Sequence, residues 1–158
     1  RPHLAQFIAQ ARQTHLLILD FIISHFFFVR CCHKLQNFHW YVAGMDFFAA
    51  HSKLAEYYTY IGVAIDEVAE NILILNGRPY ASLRAFIEHA SISEADAAFV
   101  PSKIIWNVVL EDFTSLLDPA KQIKKAADTE EVILISSAMD EYIHFFSKAI
   151  WMLMQQAQ

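Results

Sequence analysis

Glycine and proline are scarce in this chain of 158 residues, at three and four copies, so few sharp turns interrupt it and long regular segments are expected. Cysteine occurs only as the adjacent pair Cys31 and Cys32. That pair offers no disulfide framework and suits packing in a reducing compartment, which makes a cytoplasmic location the expectation. Positive charge is also sparse: 12 Lys and Arg stand against 17 Asp and Glu, the net charge is −5, and no basic cluster occurs. A surface that neutralises many phosphates is thereby excluded. Strict alternation of apolar and polar residues is almost missing, which argues against a sheet protein. The most apolar stretch, LLILDFIISHFFFV at residues 16 to 29, is shorter than the roughly 20 residues a membrane span needs and carries Asp20 and His25. No secretory signal, internal repeat or low-complexity segment is recognisable.

What the chain has in abundance is hydrophobic surface, 56% of its residues, enough for one domain over residues 1–158 without disulfide or metal staples. Apolar positions recur at intervals of three and four, the helical spacing. A first helix is expected over residues 4–41, stopped at Ala43-Gly44, and a second over 46–75, closed by Asn76-Gly77-Arg78-Pro79. A short amphipathic helix follows at 82–89 with Ser82 as its cap. A third long helix begins after Pro101-Ser102, and Pro119 should kink or end it. A fourth begins after Asp128-Thr129, with Glu130 and Glu131 at its positive end. Four long helices with an extended crossover between the second and third make an all-α four-helix bundle. The first helix is apolar on more than one face, notably at Phe26-Phe27-Phe28, so a partner subunit is expected to cover part of it.

Within this apolar frame, His39 and His51 are followed by Asp66 and Glu70 at fixed spacing, which points to metal chemistry. Asp66 and Glu70 lie one helical turn apart and project from the same side of the second helix. His51, 15 residues before Asp66, shares nearly their azimuth but sits about 22 Å away along the axis. One helix cannot bring it to those carboxylates. If the second helix packs antiparallel against its own copy about a two-fold axis, His51 of one chain approaches Asp66 and Glu70 of the other, and two sites arise per dimer. Ala55, Thr59 and Gly62 are small enough at the crossing to let two backbones approach, while His39 folds back over the Ala43-Gly44 turn to join His51. Imidazole and carboxylate without thiolate suit Fe(II) or Zn(II) and fit Mg(II) or Ca(II) poorly. So few protein ligands leave open positions, which imply reactivity.

These residues resemble those of the Dps family, the miniferritins named for DNA-binding protein from starved cells. The pattern His-Trp-x-Val-x-Gly-x-x-Phe-x-x-x-His, then fourteen residues, then Asp-x-x-x-Glu, is matched by His39, Trp40, Val42, Gly44, Phe47, His51, Asp66 and Glu70. Weaker agreement at Glu67-Val68-Ala69, Gly77-x-Pro79, Leu83 with Phe86, and Ile150-Trp151-Met152-Leu153 extends the resemblance over most of the chain. It implies a ferritin-like bundle and a dodecameric shell built from two-fold dimers. It also implies oxidation of Fe(II), preferentially by hydrogen peroxide, with storage of the ferric product inside. By carry-over, His39 and His51 of one subunit and Asp66 and Glu70 of its two-fold mate are the catalytic ferroxidase ligands, with Zn(II) a surrogate for iron. Trp40 reads as core or interface packing first and as an electron donor beside the site second, and Glu56 as an auxiliary acid.

This chain departs from the family at several points. The acidic ligand common four residues after the second His is here Ala55, and Glu56 next to it points elsewhere on a helix. Ala43 and Asn71 replace a frequent Lys and Arg. The acids that usually line the three-fold iron pore are replaced by Val132-Ile133-Leu134-Ile135, leaving Asp128, Glu130 and Glu131 as substitute pore residues. Glu141-Tyr142-Ile143-His144 has the E-x-x-H spacing of larger di-iron bundles but occurs once, and reads as a surface pair. His3, His15, His25, His33 and His89 have no usable partner spacing.

An iron-storing ferroxidase is therefore the leading reading. The competing one is a nucleoid-protecting DNA-binding protein. In the family that role relies on a basic tail, which neither Arg1-Pro2-His3 nor Gln155-Gln156-Ala157-Gln158 supplies, so neither DNA nor a membrane is an expected partner. A cage that assembles with weakened ferroxidase activity is a third reading, favoured by Ala55 and the apolar pore.

Overall fold

The computed structural model describes residues 2–89 and 94–156. Two helical hairpins make up the bundle. Helix α1 (Pro2–Tyr41) pairs with α2 (Phe47–Ile74), and α4 (Ser102–Thr129) pairs with α5 (Ile133–Gln156). The crossover between the hairpins carries the short helix α3 (Leu83–His89), whose Ser82 Oγ accepts the Ala85 N–H as expected of a cap.

Each long helix turns one apolar stripe inward. On α2 the buried positions are Leu54, Tyr57, Ile61, Ala64, Val68 and Ile72, a three-and-four spacing that keeps them on one face. The centre of the bundle is aromatic: Phe113 meets Tyr57, Phe145 and Phe146 with ring centroids 5.1 to 5.9 Å apart, and Phe28 of α1 reaches Tyr142 at 5.4 Å. The Lys34–Asp112 ion pair, at 2.9 Å, ties α1 to α4.

Several expectations are corrected. Helix α4 runs through Pro119 without ending, because Leu116, Ala120 and Ile123 bury on either side of it and their packing offsets the lost hydrogen bond, which costs about 3 kcal/mol in a helix interior. Glu130 and Glu131 precede α5 and do not enter its first turn. Instead they close α4: Glu131 takes a left-handed φ of 58°, and the Val132 N–H donates to the Ala127 carbonyl. The Phe26-Phe27-Phe28 run is covered in part within the chain, while Leu19 and Ile23 of α1 stay exposed. Phe26 is covered by Tyr80 and Phe86 of the crossover and Phe28 by α5. The turn after α2 places Asn76 at the left-handed position, with Gly77 following because a Cβ there would meet Ile18 Cγ2 at 2.7 Å.

Helical periodicity gave no sign of a two-residue parallel bridge. Strand β1 (Val42–Ala43) pairs with β2 (Val100–Pro101), Val42 opposite Val100. The bridge is too short for any period to register. It nonetheless ties the end of α1 to the start of α4.

His25 is the buried histidine of the α1–α3 contact, 5.8 Å from the Phe86 ring, with Nδ1 lacking a hydrogen-bond partner. Burial pulls its imidazole below the ordinary range. The unfolded chain thus binds a proton more readily than the folded one, so stability falls as pH drops below about 6.5. The thermal midpoint is expected to fall between pH 7.5 and 5.5, and His25→Phe should flatten that dependence. An equal fall in the variant would assign the effect elsewhere.

Candidate metal centre

The turn between α1 and α2 builds the site. Gly44, at φ 123°, reverses the chain after β1, and the Ser102 hydroxyl donates to the Asp46 carboxylate just before α2. Pinned by this contact and by the β bridge, the last turn of α1 lies against the first turns of α2. His39 and His51 come face to face, their rings stacked at 3.6 Å and 22°.

Their hydrogen bonds are reciprocal. His39 Nδ1–H donates to the His51 carbonyl at 2.8 Å, and His51 Nδ1–H donates to the His39 carbonyl at 2.8 Å. A carbonyl can only accept, so each Nδ1 must carry the proton. With that proton fixed on Nδ1, the tautomer available to each ring is the one with its lone pair on Nε2, the form that binds a metal, with ring orientation set by the bond on the opposite nitrogen. Phe47 stacks on His51 at 5.0 Å and Tyr58 meets His39 edge-on at 5.2 Å, so the two imidazoles sit in an aromatic ladder. Tyr58 was missed in the sequence. Its position seven residues after His51, two turns along the same face, was the signal available.

Asp66 and Glu70 lie on the exposed face of α2 and pair with no described residue. Glu67, between them in sequence, turns the other way and accepts from the Tyr142 hydroxyl at 3.0 Å; burial first and this carboxylate second push that phenol up. Among the described residues no group of three or more His, Cys, Asp or Glu could hold a metal within one chain. Within the chain the two histidines meet at the α1–α2 turn, and Asp66 and Glu70 lie farther along α2.

Three further candidates have surroundings of their own. Glu56 is held by Lys53 one turn back and does not join the histidines. Trp40 is 64% exposed, which leaves interface packing and removes the core as its setting within the chain. Asp128 is engaged by Ser136 and Lys124, and the Ser136 hydroxyl foremost holds its carboxyl below the usual range. Glu131 is exposed and Glu130 half-buried at the same turn, beside exposed Ile133 and Leu134. Glu141 and His144 are both exposed, in keeping with a surface pair.

The ferritin-like domain model matches residues 30–158. A DNA protection during starvation protein of Brevibacillus brevis is 37% identical over 120 residues, covering 76% of this chain and 80% of its own length. The chain belongs to the Dps family of ferritin-like proteins. In three dimensions this Dps-family chain is similar to a Dps protein from Bacillus brevis, with a TM-score of 0.87 and 31% identity over 93% of this chain and 98% of that one. It is also similar to a Dps protein from Vibrio cholerae O1, described as a member of a broad superfamily of ferritin-like diiron-carboxylate proteins. That match has a TM-score of 0.88 and 26% identity, covering 93% of this chain and 92% of the other. No helix among the described residues of this Dps-family chain is long and apolar enough to cross a membrane.

Proposed function

We propose that this Dps-family protein binds Fe(II) between two subunits, oxidises it with hydrogen peroxide and stores the ferric product inside a dodecameric shell. The observation that carries the reading is the reciprocal His39–His51 pair, which presents two Nε2 lone pairs while the chain's own Asp66 and Glu70 stay exposed and unpaired. A two-fold mate packed antiparallel on α2 would supply its Asp66 and Glu70 to these histidines. Gly62 supports that packing: a Cβ added there meets nothing within 4 Å in the single chain. A glycine costs about 1 kcal/mol against alanine inside a helix, so its place on an exposed helical face fits close approach by a second backbone.

In the proposed reaction, two Fe(II) each give one electron to peroxide, the O–O bond breaks, and two protons are taken up to leave two waters and two Fe(III). The imidazoles and carboxylates hold the iron while the remaining coordination positions admit peroxide. Zn(II) favours the same donors without redox chemistry, and so would occupy the site and inhibit. Anomalous scattering from an iron-soaked crystal tests the assignment. Iron is expected beside His39 and His51 of one chain and Asp66 and Glu70 of another; iron bound wholly within one chain would refute it.

Ala55 replaces the acid one turn after His51, leaving fewer anionic donors for a second ion. Ala55→Asp is expected to raise the number of Fe(II) or Co(II) ions bound per site in anaerobic titration calorimetry. An unchanged stoichiometry would show that this position contributes no ligand.

A further inference from the structure

Between the crossover and the stretch of α1 that ends two residues before His39, a cavity of about 600 Å³ opens. This size is within the range of small-molecule sites. Its two walls differ in chemistry. The α1 wall presents Arg30, His33 and Asn37, spaced at three and four so that they share one face. The opposite wall is apolar, formed by Leu83, Phe86 and Ile87 of α3.

The α3 wall is held in place from beneath. Phe86 packs edge-on against Phe26 at 5.5 Å and meets the His25 ring at 5.8 Å, while Leu83 and Ile87 are 74% and 75% exposed. On the α1 wall, Asn37 donates to the Ala95 carbonyl at 3.4 Å, which closes one end of the cavity. Lys34, which also lines the cavity, is already neutralised by Asp112. Arg30 is not: half-buried at the cavity wall, it has no ion-pair or hydrogen-bond partner among the described residues. Glu94 also lines the cavity and adds one negative charge to its edge.

We propose that this cavity binds an amphiphilic organic monocarboxylate. The guanidinium of Arg30, with the His33 ring beside it, would take the carboxylate through charge-assisted hydrogen bonds, which suit Arg better than any other side chain. The Leu83, Phe86 and Ile87 surface would take an aromatic or aliphatic body and remove it from water. Glu94 would disfavour a second negative charge, which selects against dicarboxylates and phosphate esters.

The test is calorimetric titration of the assembled protein with 4-phenylbutyrate, alongside 4-phenylbutyramide, acetate and phenyl phosphate. Saturable binding of 4-phenylbutyrate is expected, weakened about tenfold or more for the neutral amide and for Arg30→Gln, as loss of a charge-assisted bond implies. Acetate and phenyl phosphate should bind more weakly still. The comparison of acid with amide uses unaltered protein, so it stands whether or not the variant folds. Absence of saturable binding by 4-phenylbutyrate, or equal affinity for acid and amide, overturns the proposal.

Discussion

Replacing His39 and His51 together by glycine is expected to slow peroxide-driven Fe(II) oxidation by about 100-fold or more, since losing even the partners of metal ligands costs about 10- to 100-fold. Both residues are half-buried, and each sits near a helix end, His39 in the last turn of α1 and His51 in the first turns of α2. Glycine there removes the imidazoles at a cost of about 1 kcal/mol per position in helix stability, small enough for the bundle to survive. Stopped-flow absorbance at the ferric band reads the rate, and size-exclusion chromatography confirms that the variant assembles. An assembled variant with unchanged kinetics would remove the histidine pair from the site.

Mixing two inactive proteins should restore activity. One carries His39→Gly with His51→Gly; the other carries Asp66→Asn with Glu70→Gln. If each site draws histidines from one chain and carboxylates from its two-fold mate, a mixed dimer contains one site with neither defect and one with both. Dissociating and reassembling the two in equal amounts should then recover about one quarter of the native rate, because half the dimers are mixed and half of their sites are intact. A site confined to one chain recovers nothing. Zero recovery in fully reassembled protein would therefore defeat the two-chain arrangement, even if each parent variant is inactive.

The placement of the long helices was legible because each buries a stripe at the helical period, as Leu54, Ile61, Val68 and Ile72 do along α2. The short helix was legible from Ser82, whose hydroxyl does cap it. Pro119 does not end α4, because the packing of Leu116, Ala120 and Ile123 outweighs the local rule. The Phe26-Phe27-Phe28 run shows a second limit of the one-dimensional pattern. Apolar excess on a helix shows that something covers it, without showing whether the cover is another chain or, as here, the crossover. Arg30 carried no signal in one dimension, since its lack of an anionic neighbour depends on how the crossover lies.

By itself the sequence determined the helical class, the core stripes, and the four residues whose spacing separates His51 from Asp66 by more than one ion can bridge. Those are local quantities: helical period, rise per residue and donor chemistry follow from the order of the amino acids. Only the tertiary structure decided that His39 and His51 stack and that each donates its Nδ1–H to the other's backbone carbonyl, leaving both Nε2 atoms without that bond. That outcome needs the Gly44 turn, the Val42–Val100 bridge and the Ser102–Asp46 contact at once, and the last two link segments more than fifty residues apart in the chain.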